Sequence, residues 1–398
     1  MTSTPETGDR VRVIDTGLPP ERYARGWHCL GLVRDFVEGG PHQISAFGTE
    51  LVVFAGENGK LNVLNAFCPH MGGNLAHGTV KDDAIACPFH DWRWRGDGKC
   101  AAIPYARRVP PLARTKAWPT MEISGQLFIW HDPQGRKPPA ELTVPGIPVY
   151  GGPGWTDWVW NSIVVEGSHC REIVDNVVDM AHFFYVHYGM PTYFRNVFEG
   201  HTATQHMRSR PRGDAAGVSQ NTDSSLESRS DAAYFGPSYM VDKLWSAQYA
   251  ERDEPNIYLI NCHYPISPTS FRLQYGVIVE KPAGMDDEAA NAMAVAVGRG
   301  IAIGFEQDVE IWKNKARIDN PLLCEEDGPV YQLRRWYEQF YVDVENIEPA
   351  MVDRFEFEID TERALQNWQA EVDANLAAGR SAIAPDLAMN TRSDATGS

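Results

Sequence analysis

Two short runs, Cys68-Pro69-His70 and Cys87-Pro88-Phe89-His90, bring two thiolates and two imidazoles close together in the sequence. Sixteen residues separate the two runs. Cysteine and histidine side chains are common ligands of zinc and of iron. Zinc sites usually place paired cysteines on one loop and paired histidines on another, or use cysteine alone. Here each run supplies one residue of each type.

This distribution allows both thiolates to bind one iron and both imidazoles to bind a second iron, which is the ligand set of a Rieske 2Fe-2S centre. The neighbouring prolines restrict the backbone, and Gly72 and Gly73 allow the chain to approach a cluster closely. We therefore expect a 2Fe-2S cluster held by Cys68, His70, Cys87 and His90. A structural zinc site is the alternative.

A second group of polar residues lies between Asp175 and His187, in a run that we expect to be helical over residues 175–185. Two histidines and one carboxylate on one side of a metal ion are the ligands of non-haem Fe(II) oxygenases. On an ideal helix His182 and His187 are about 140° apart, too far to share one ion comfortably. A one-residue bulge, or a helix that ends near Tyr185, would bring His187 back within reach.

The third ligand must come from another part of the chain, and Asp308 is the best candidate. It lies in a long helical pattern over residues 288–315, which places Phe305 and Trp312 on the same face. A carboxylate on an apolar face needs a partner, because burying an unpaired charge is costly. The alternative is an exposed Asp308 in a charged stretch, and spacing alone does not decide between the two.

Two metal sites in one chain need a path for electrons between them, and Asp179 suits that role. A carboxylate that accepts a hydrogen bond from His182 could accept another from a histidine of the cluster. The alternative is that Asp179 only orients His182 within its own helix. Asn176 supplies an amide in the same run, and we expect it to support the ligands from behind.

Composition and charge limit the possible partners. The 398 residues carry 36 basic and 53 acidic side chains, a formal net charge of −17, so a nucleic acid or an anionic membrane is disfavoured as a partner. The first residues lack the pattern of a signal peptide, and no apolar run is long enough to span a membrane. We therefore expect a cytoplasmic protein whose seven scattered cysteines form no disulfides.

The chain divides into regions of different character. Residues 20–135 read as short strands separated by turns, with a hairpin signal at 57–60, and predict an all-β domain. Residues 136–154 are rich in proline and glycine and predict a linker. Residues 155–380 mix strands with helices, so the overall fold class is α+β. Residues 208–231 are poor in large apolar side chains and predict a mobile surface insertion, and 381–398 predict a disordered tail.

With both motifs in place, the sequence resembles the oxygenase components of bacterial 3-ketosteroid 9α-hydroxylases, a family of Rieske non-haem iron oxygenases. The resemblance covers residues 22–376. The runs that carry it most clearly are residues 23–31, 179–185, 191–194, 260–265, 307–313 and 331–337.

The resemblance implies a Rieske domain followed by a helix-grip catalytic domain, with a curved antiparallel sheet over a deep pocket. It places His182, His187 and Asp308 on the ligands of the mononuclear Fe²⁺, and Asp179 on the bridging carboxylate. It also implies a head-to-tail homotrimer in which a cluster histidine of one subunit meets Asp179 of the next. Electrons would come from NADH through a separate reductase that carries FAD and a 2Fe-2S cluster.

The activity implied is hydroxylation of a 3-ketosteroid such as androstenedione at C9 with O₂, in steroid or cholesterol breakdown. Two rivals are a Rieske oxygenase that acts on a smaller aromatic compound and a Rieske electron carrier without an oxygenase site. Seven residues lie on segments that should line the substrate pocket, and we expect about half of them to touch substrate. These residues are Val177, Gln205, Tyr234, Met240, Asn261, Phe305 and Trp312.

Overall fold

Residues 13–215 and 225–382 are described by a computed structural model of the chain. The first part is built almost entirely from strands. Together with one short helix, α1 (Arg34–Val37), its elements are β1 (Gly26–Leu32), β2 (His42–Ala46), β3 (Thr49–Ala55), β4 (Leu61–Asn65), β5 (Thr79–Lys81), β6 (Ala84–Ala86), β7 (Arg93–Arg95), β8 (Cys100–Ala102), β9 (Ala117–Trp118), β10 (Thr120–Ile123) and β11 (Gln126–His131).

These strands form three antiparallel sheets, in the orders β1-β11-β10, β2-β3-β4-β9 and β5-β6-β7-β8. Strand β3 explains how the sheets pack. Leu51 and Val53 face one apolar cluster, whereas Val52 and Phe54 face another, and all four are fully buried. Because side chains alternate along a strand, β3 separates two cores. The predicted hairpin is confirmed, since β3 and β4 pair on either side of residues 57–60.

Residues 136–154, predicted as a linker, contain no helix or strand, yet they pack firmly. Val144 and Ile147 are buried in a cluster with residues from both halves of the chain, including Phe128 and Tyr239. The Trp27 indole donates a hydrogen bond to the Leu142 carbonyl at 3.0 Å. The two regions therefore share an apolar core rather than being joined by a loose tether.

The second region is built around one eight-stranded antiparallel sheet, in the order β12-β18-β17-β16-β15-β14-β13-β19. Its strands are β12 (Val159–Glu166), β13 (Gly189–Glu199), β14 (Thr202–Pro211), β15 (Ser228–Phe235), β16 (Tyr239–Trp245), β17 (Ile257–Ser267), β18 (Ser270–Val279) and β19 (Phe355–Glu358). Its helices are α2 (Arg171–Val174), α3 (Met180–Tyr185), α4 (Asp287–Asn314), α5 (Val330–Glu338), α6 (Pro349–Val352) and α7 (Glu362–Ala377). The expected fold class, an all-β region followed by a region of helices on an antiparallel sheet, is confirmed.

Helix α4 lies across the edge of this sheet and packs on β12 and β18. Its N-cap is Asp286, whose carboxylate accepts a hydrogen bond from the Ala289 amide at 2.8 Å. At Gly298 the helix approaches the sheet so closely that a Cβ atom would lie 3.1 Å from Val159 Cγ1. The buried stripe of α4 continues to Phe305, Asp308 and Trp312, which brings that carboxylate to the inner face of the helix.

The single helix predicted over residues 175–185 is wrong. Asp175–Val177 form a 3₁₀ turn, and α3 begins only after Asp179, which has extended backbone angles. The break arises because the Asp179 carboxylate caps α3 by accepting a hydrogen bond from the His182 amide at 3.1 Å. Helix α3 then ends at Tyr185, one of the two arrangements that could bring His187 back toward His182.

The predicted surface insertion over residues 208–231 is also wrong for the described residues. Its two ends belong to β14 and β15, which pair with each other. Between them, Arg212 and Asp214 form an ion pair whose side chains are only 3% and 0% exposed. Residues 216–224, and the predicted tail beyond residue 382, lie outside the described residues. Among the described helices, none has the length and hydropathy needed to cross a bilayer.

Candidate metal centres and substrate pocket

The two Cys-His runs form matching loops, one between β4 and β5 and one between β6 and β7. In the first loop the Cys68 amide donates to the Gly73 carbonyl, and the Gly72 amide donates to the Cys68 carbonyl. In the second loop the Cys87 amide donates to the Trp92 carbonyl, and the Asp91 amide donates to the Cys87 carbonyl. All four hydrogen bonds measure 2.9 Å. The fourth residue after each cysteine has a positive φ, 77° at Gly72 and 54° at Asp91. An aspartate is one of the few residue types other than glycine that adopts this conformation readily. The loops are therefore a structurally equivalent pair.

Asp91 is fixed by two cations. Its carboxylate lies 2.6 Å from Lys81 Nζ and 3.1 Å from Arg93 Nη2. The hydrogen bond from Lys81 holds the pKa of this carboxyl below its usual value. These contacts fix the loop directly after His90.

The two loop histidines face each other at the tip of the domain, with ring centroids 4.8 Å apart. His70 stacks on Trp92 at 4.4 Å, and the Trp92 indole donates to the Tyr105 hydroxyl at 2.7 Å. His90 lies against Phe89 at 3.8 Å. Both imidazoles are thus held in place by aromatic neighbours.

The cysteine side of the same site has room and polarity for a sulfur-bridged cluster. Both cysteines are buried, and the Trp94 indole donates to Cys68 Sγ at 3.3 Å. At Gly73 a Cβ atom would lie 2.6 Å from Cys87 Sγ, so only glycine leaves that space open. Hydrogen bonds to the sulfurs are a known means by which a protein tunes such clusters. The residues present therefore fit a Rieske 2Fe-2S cluster.

The second site is formed by His182, His187 and Asp308, whose ligand atoms all lie within 4.8 Å of one another. Within the described ranges this is the one set of three or more His, Cys, Asp or Glu groups that is so compact. At the loops, each run supplies one thiolate and one imidazole, a distribution that fits a two-iron cluster better than a zinc ion. Asp308 is 8% exposed, so the alternative of a solvent-exposed Asp308 is wrong.

Hydrogen bonds orient both imidazoles of the second site. Nδ1 of His182 lies 2.5 Å from the Asp179 carbonyl oxygen, and Nδ1 of His187 lies 3.3 Å from Gln307 Oε1. Because these oxygens can only accept, each Nδ1 carries the hydrogen and each Nε2 is left for a metal. Gln307 was missed in the sequence analysis, and its only signal was its position next to Asp308.

Asp179 contacts His182 differently from the prediction. The ring of His182 donates to the backbone carbonyl of Asp179, whereas the carboxylate lies 3.8 Å from that ring and caps the helix instead. Partial loss of contact with water would raise the pKa of Asp179, but its interactions with His182 outweigh this effect and keep the pKa below its usual value. The carboxylate is 47% exposed, so it faces outward from the site.

A cavity of about 290 Å³ opens beside this three-residue set. All seven predicted pocket residues line it, and so does Asn176. Within the described residues no hydrogen bond joins the Asn176 side chain to the three candidate ligands, so its supporting role stays a prediction. The lining residues that the sequence analysis missed are Ile173, Phe183, Met207, Ser230, Ala232, Asp242, Leu244, Leu259, Ile301 and Gly304.

The cavity wall is largely apolar but carries a few polar atoms. The Tyr234 hydroxyl and Asn261 Oδ1 are buried and have no hydrogen-bond partner within the described part of the chain. Burial raises the pKa of Tyr234, so its hydroxyl keeps its proton. Buried polar atoms without partners are costly, and a ligand that supplied the missing hydrogen bonds would remove that cost. The cavity therefore suits a mainly apolar molecule with a few polar groups.

Two histidines and one aspartate leave part of the coordination sphere of an iron open, and they do so here at the wall of an apolar cavity. The residues therefore fit a mononuclear non-haem iron. Such a site can activate dioxygen beside a C–H bond of a molecule held in the cavity. The two sites together fit a protein that receives electrons at a cluster and uses them at a second metal.

Comparisons with known proteins agree with this interpretation. The profile of the Rieske [2Fe-2S] domain family matches residues 26–115. The profile of the 3-ketosteroid 9alpha-hydroxylase C-terminal domain family matches residues 129–341, more than half of the chain. Among solved structures, dicamba monooxygenase bound to dicamba is similar in fold, with a TM-score of 0.63, at 19% identity over 80% of this chain and 97% of the other.

Two curated relatives are similar over nearly their whole length. A probable 3-ketosteroid-9-alpha-monooxygenase oxygenase component from Rhodococcus rhodochrous is 79% identical over 382 residues, 96% of each chain. A 3-ketosteroid-9-alpha-monooxygenase oxygenase component from Mycobacterium tuberculosis is 57% identical and covers 94% of this chain and 96% of its own. The chain therefore belongs to the family of 3-ketosteroid-9-alpha-monooxygenase oxygenase components, which are Rieske monooxygenases.

Proposed function

We propose that this protein is the terminal oxygenase that hydroxylates 3-ketosteroids at C9. One oxygen atom of O₂ enters the C9–H bond, and the other is reduced to water with two electrons and two protons. The observation that carries the proposal is the convergence of His182, His187 and Asp308 at the wall of an apolar cavity in a member of this family.

We propose that Cys68 and Cys87 bind one iron of the Rieske cluster, and that His70 and His90 bind the other. The Nε2 atoms of His182 and His187 and the Asp308 carboxylate would hold the mononuclear Fe²⁺. When bound, the two metal groups supply electron transfer and dioxygen activation, which no side chain of the protein provides. The protein sets the orientation of the ligands through Gln307 and the Asp179 carbonyl.

The shape and polarity of the cavity support a steroid substrate. Leu259, Phe305 and Trp312 give it apolar walls that would bury a fused-ring skeleton and exclude water. Asn261 and Gln205 are the polar residues that we propose as hydrogen-bonding partners of a steroid carbonyl. The relatives named above act on 3-ketosteroids according to their names, which is why we favour this class over smaller aromatics.

We further propose a head-to-tail homotrimer, because the two candidate sites need a short path between them. Large apolar side chains surround the cluster histidines and are exposed in the single chain, with Phe67, Met71 and Phe89 at 51%, 63% and 58%. Such a patch suits contact with another protein surface. In the trimer the outward-facing Asp179 carboxylate would accept a hydrogen bond from His70 or His90 of the neighbouring subunit.

The electrons are proposed to come from NADH through a separate reductase that carries FAD and a plant-type 2Fe-2S cluster. The term "oxygenase component" in the names of the relatives supports the need for such a partner. We place the reaction in cytoplasmic breakdown of steroids or cholesterol, where NADH is available.

The proposal is tested by combining the purified, iron-loaded protein with a suitable reductase, NADH, O₂ and androstenedione. We expect steroid-dependent NADH consumption and a 9α-hydroxylated product. The same assay with small aromatic acids should give no product. Turnover of an aromatic acid but not of the steroid would favour the rival oxygenase, and no turnover of any substrate would favour an electron carrier.

A further inference from the structure

Asp242 is a buried carboxyl group in the cavity wall that the proposed chemistry does not use. It lies on β16 and is 8% exposed. The sheet register places it next to Ala232 on one side and Leu259 on the other, and both of these residues also line the cavity. Gln205 lies in the same row, opposite Ala232 on β14. Asp242 therefore belongs to a row of side chains on the sheet that lines one side of the cavity.

The carboxyl group of Asp242 has no cation to balance a negative charge. Within the described ranges it forms no ion pair, and its one hydrogen bond comes from the Ser230 hydroxyl, which donates to Oδ1 at 2.8 Å. Burial raises the pKa of Asp242 to about 7; the Ser230 hydrogen bond acts in the opposite direction, and the charge of Asp231 adds to the increase. Near neutral pH, a large fraction of the group is thus an uncharged acid.

We propose that the protonated carboxyl of Asp242 donates a hydrogen bond to a ketone oxygen of the steroid and thereby determines which substrates are bound. The inference rests on the proposed function, because it concerns the same cavity. A ketone can only accept hydrogen bonds, so its partner must carry a hydrogen. With Ser230 donating to Oδ1, the proton of the acid lies on Oδ2 and is available to the ligand.

This arrangement explains why a carboxyl group stands where an apolar residue would be less costly to bury. Leaving a buried polar group without its partner costs free energy, and a bound ketone supplies the partner. A substrate without a ketone at that position would leave the acid unpaired and would be bound less tightly. Asp242 thus acts in selection and positioning of the substrate, without taking part in the oxidation.

The proposal gives steroid affinity a defined pH dependence. As the pH rises through about 7 the acid ionises, loses its donor and becomes a charge that is costly to bury, so affinity falls. The polar groups on its face of the sheet are Ser230 from β15 and Gln205 from β14. Asp231 lies on the opposite face, paired with His206 and Arg229, and acts on Asp242 only through its charge. Across the cavity, α3, the residues after it and α4 contribute His182, His187 and Asp308.

The test measures the equilibrium dissociation constant of the holoenzyme for two steroids by equilibrium dialysis. Androstenedione has ketones at C3 and C17, whereas androst-4-en-3-one has only the C3 ketone. We expect Asp242→Leu to weaken binding of androstenedione about 3- to 10-fold at pH 6.5, the effect of one net hydrogen bond. Asp242→Asn keeps a donor and the acceptor for Ser230, so it should bind nearly as tightly as the native protein and show no pH dependence between about pH 6 and about pH 8.5.

If Asp242→Leu binds both steroids less tightly, Asp242 is assigned to the C3 ketone. If it binds only androstenedione less tightly, Asp242 is assigned to the C17 ketone. Either result supports the proposal. Lys243→Gln is the matched control, because Lys243 follows Asp242 on β16 but is exposed. Equal affinities of native protein and Asp242→Leu would overturn the inference. Equal losses of steroid affinity in Asp242→Asn and Asp242→Leu would also overturn it. If native protein binds neither steroid, the proposed function itself fails, which the native sample alone reveals.

Discussion

Nε2 of His187 lies 3.3 Å from Oδ1 of Asp308, although the two residues are far apart in the sequence and belong to different elements. His187 follows the end of α3, and Asp308 is on the buried face of α4. A neutral imidazole nitrogen and a carboxylate this close need a cation or a proton between them. A metal ion shared with His182 meets that need.

Replacing Asp308 with alanine should remove the mononuclear iron and leave the cluster intact. We expect iron to fall from about three to about two atoms per chain, because a Rieske cluster contains two. The visible spectrum of the cluster should not change, whereas steroid hydroxylation should be lost. Iron analysis and the spectrum of the same sample provide the measurement.

Glu310→Ala is the control for this variant, because Glu310 lies on the same helix but is exposed. It should keep all of its iron. An Asp308→Ala protein that retained the full iron content would show that the aspartate is not a ligand.

Gly73→Ala should reduce cluster occupancy. The added methyl group would lie 2.6 Å from Cys87 Sγ, closer than any normal contact, so the thiolate or the loop must move. We expect less visible absorbance and less acid-labile sulfide per chain. In Gly154→Ala, where no atom lies within 4 Å of the new methyl group, both values should match the native protein. Full occupancy in Gly73→Ala would contradict the assigned position of the cluster.

Gln307→Leu should weaken binding of the mononuclear iron about 10- to 100-fold, as loss of an outer hydrogen bond to a metal-bound histidine often does. The leucine cannot accept the hydrogen bond from His187 Nδ1. Gln307→Glu keeps an acceptor and should bind iron more tightly than the leucine variant. Titration with Fe²⁺ under anaerobic conditions gives the affinities. Glu306 is exposed, so Glu306→Gln serves as the control. Equal iron affinities in all of these variants would refute this role of Gln307.

Arg212→Ala should lower the free energy of unfolding by about 3–5 kcal/mol, because it leaves the buried Asp214 carboxylate without its cation. The same guanidinium donates to the Phe184 carbonyl near the end of α3 and lies over the Phe184 ring. Arg354→Ala, which breaks exposed ion pairs, should cost about 0–1 kcal/mol. Denaturant titration of both variants tests the comparison. Equal losses would show that the buried pair contributes no more than a surface pair.

The cluster motif was readable from the sequence because its chemistry is local. Each loop carries its cysteine and histidine within four residues, and the type of each ligand limits the possible metals. Helix α4 was also predictable, since its apolar stripe repeats at helical spacing over many turns. Phe305 and Trp312 were predicted from their place on the Asp308 face of a helix, and the other five pocket residues from the segments on which they lie; all seven line one cavity.

The other features depend on contacts between distant parts of the chain. Spacing alone could not decide the environment of Asp308, because its partners His182 and His187 lie on another element. The break before α3 was missed because Asp179 acts as a cap, and a capping aspartate can equally occupy an interior position in a polar helix.

The segment around Arg212 was misread for a related reason. Arginine, glycine and aspartate in succession have the composition of a loop, but here the charges pair with each other and are buried under α7 through Glu371 and Asn375. Composition reports the polarity of side chains and not whether their charges are paired. The strands β13 to β16 were likewise left unassigned, although they form half of the sheet.

The central claim is that this chain inserts one atom of dioxygen at C9 of a 3-ketosteroid at the site of His182, His187 and Asp308. The most direct test is turnover of androstenedione under ¹⁸O₂, followed by mass spectrometry of the product. We expect one ¹⁸O atom at C9 with native protein and none with Asp308→Ala. Product with oxygen derived from water, or labelled product from the Asp308→Ala variant, would contradict the account.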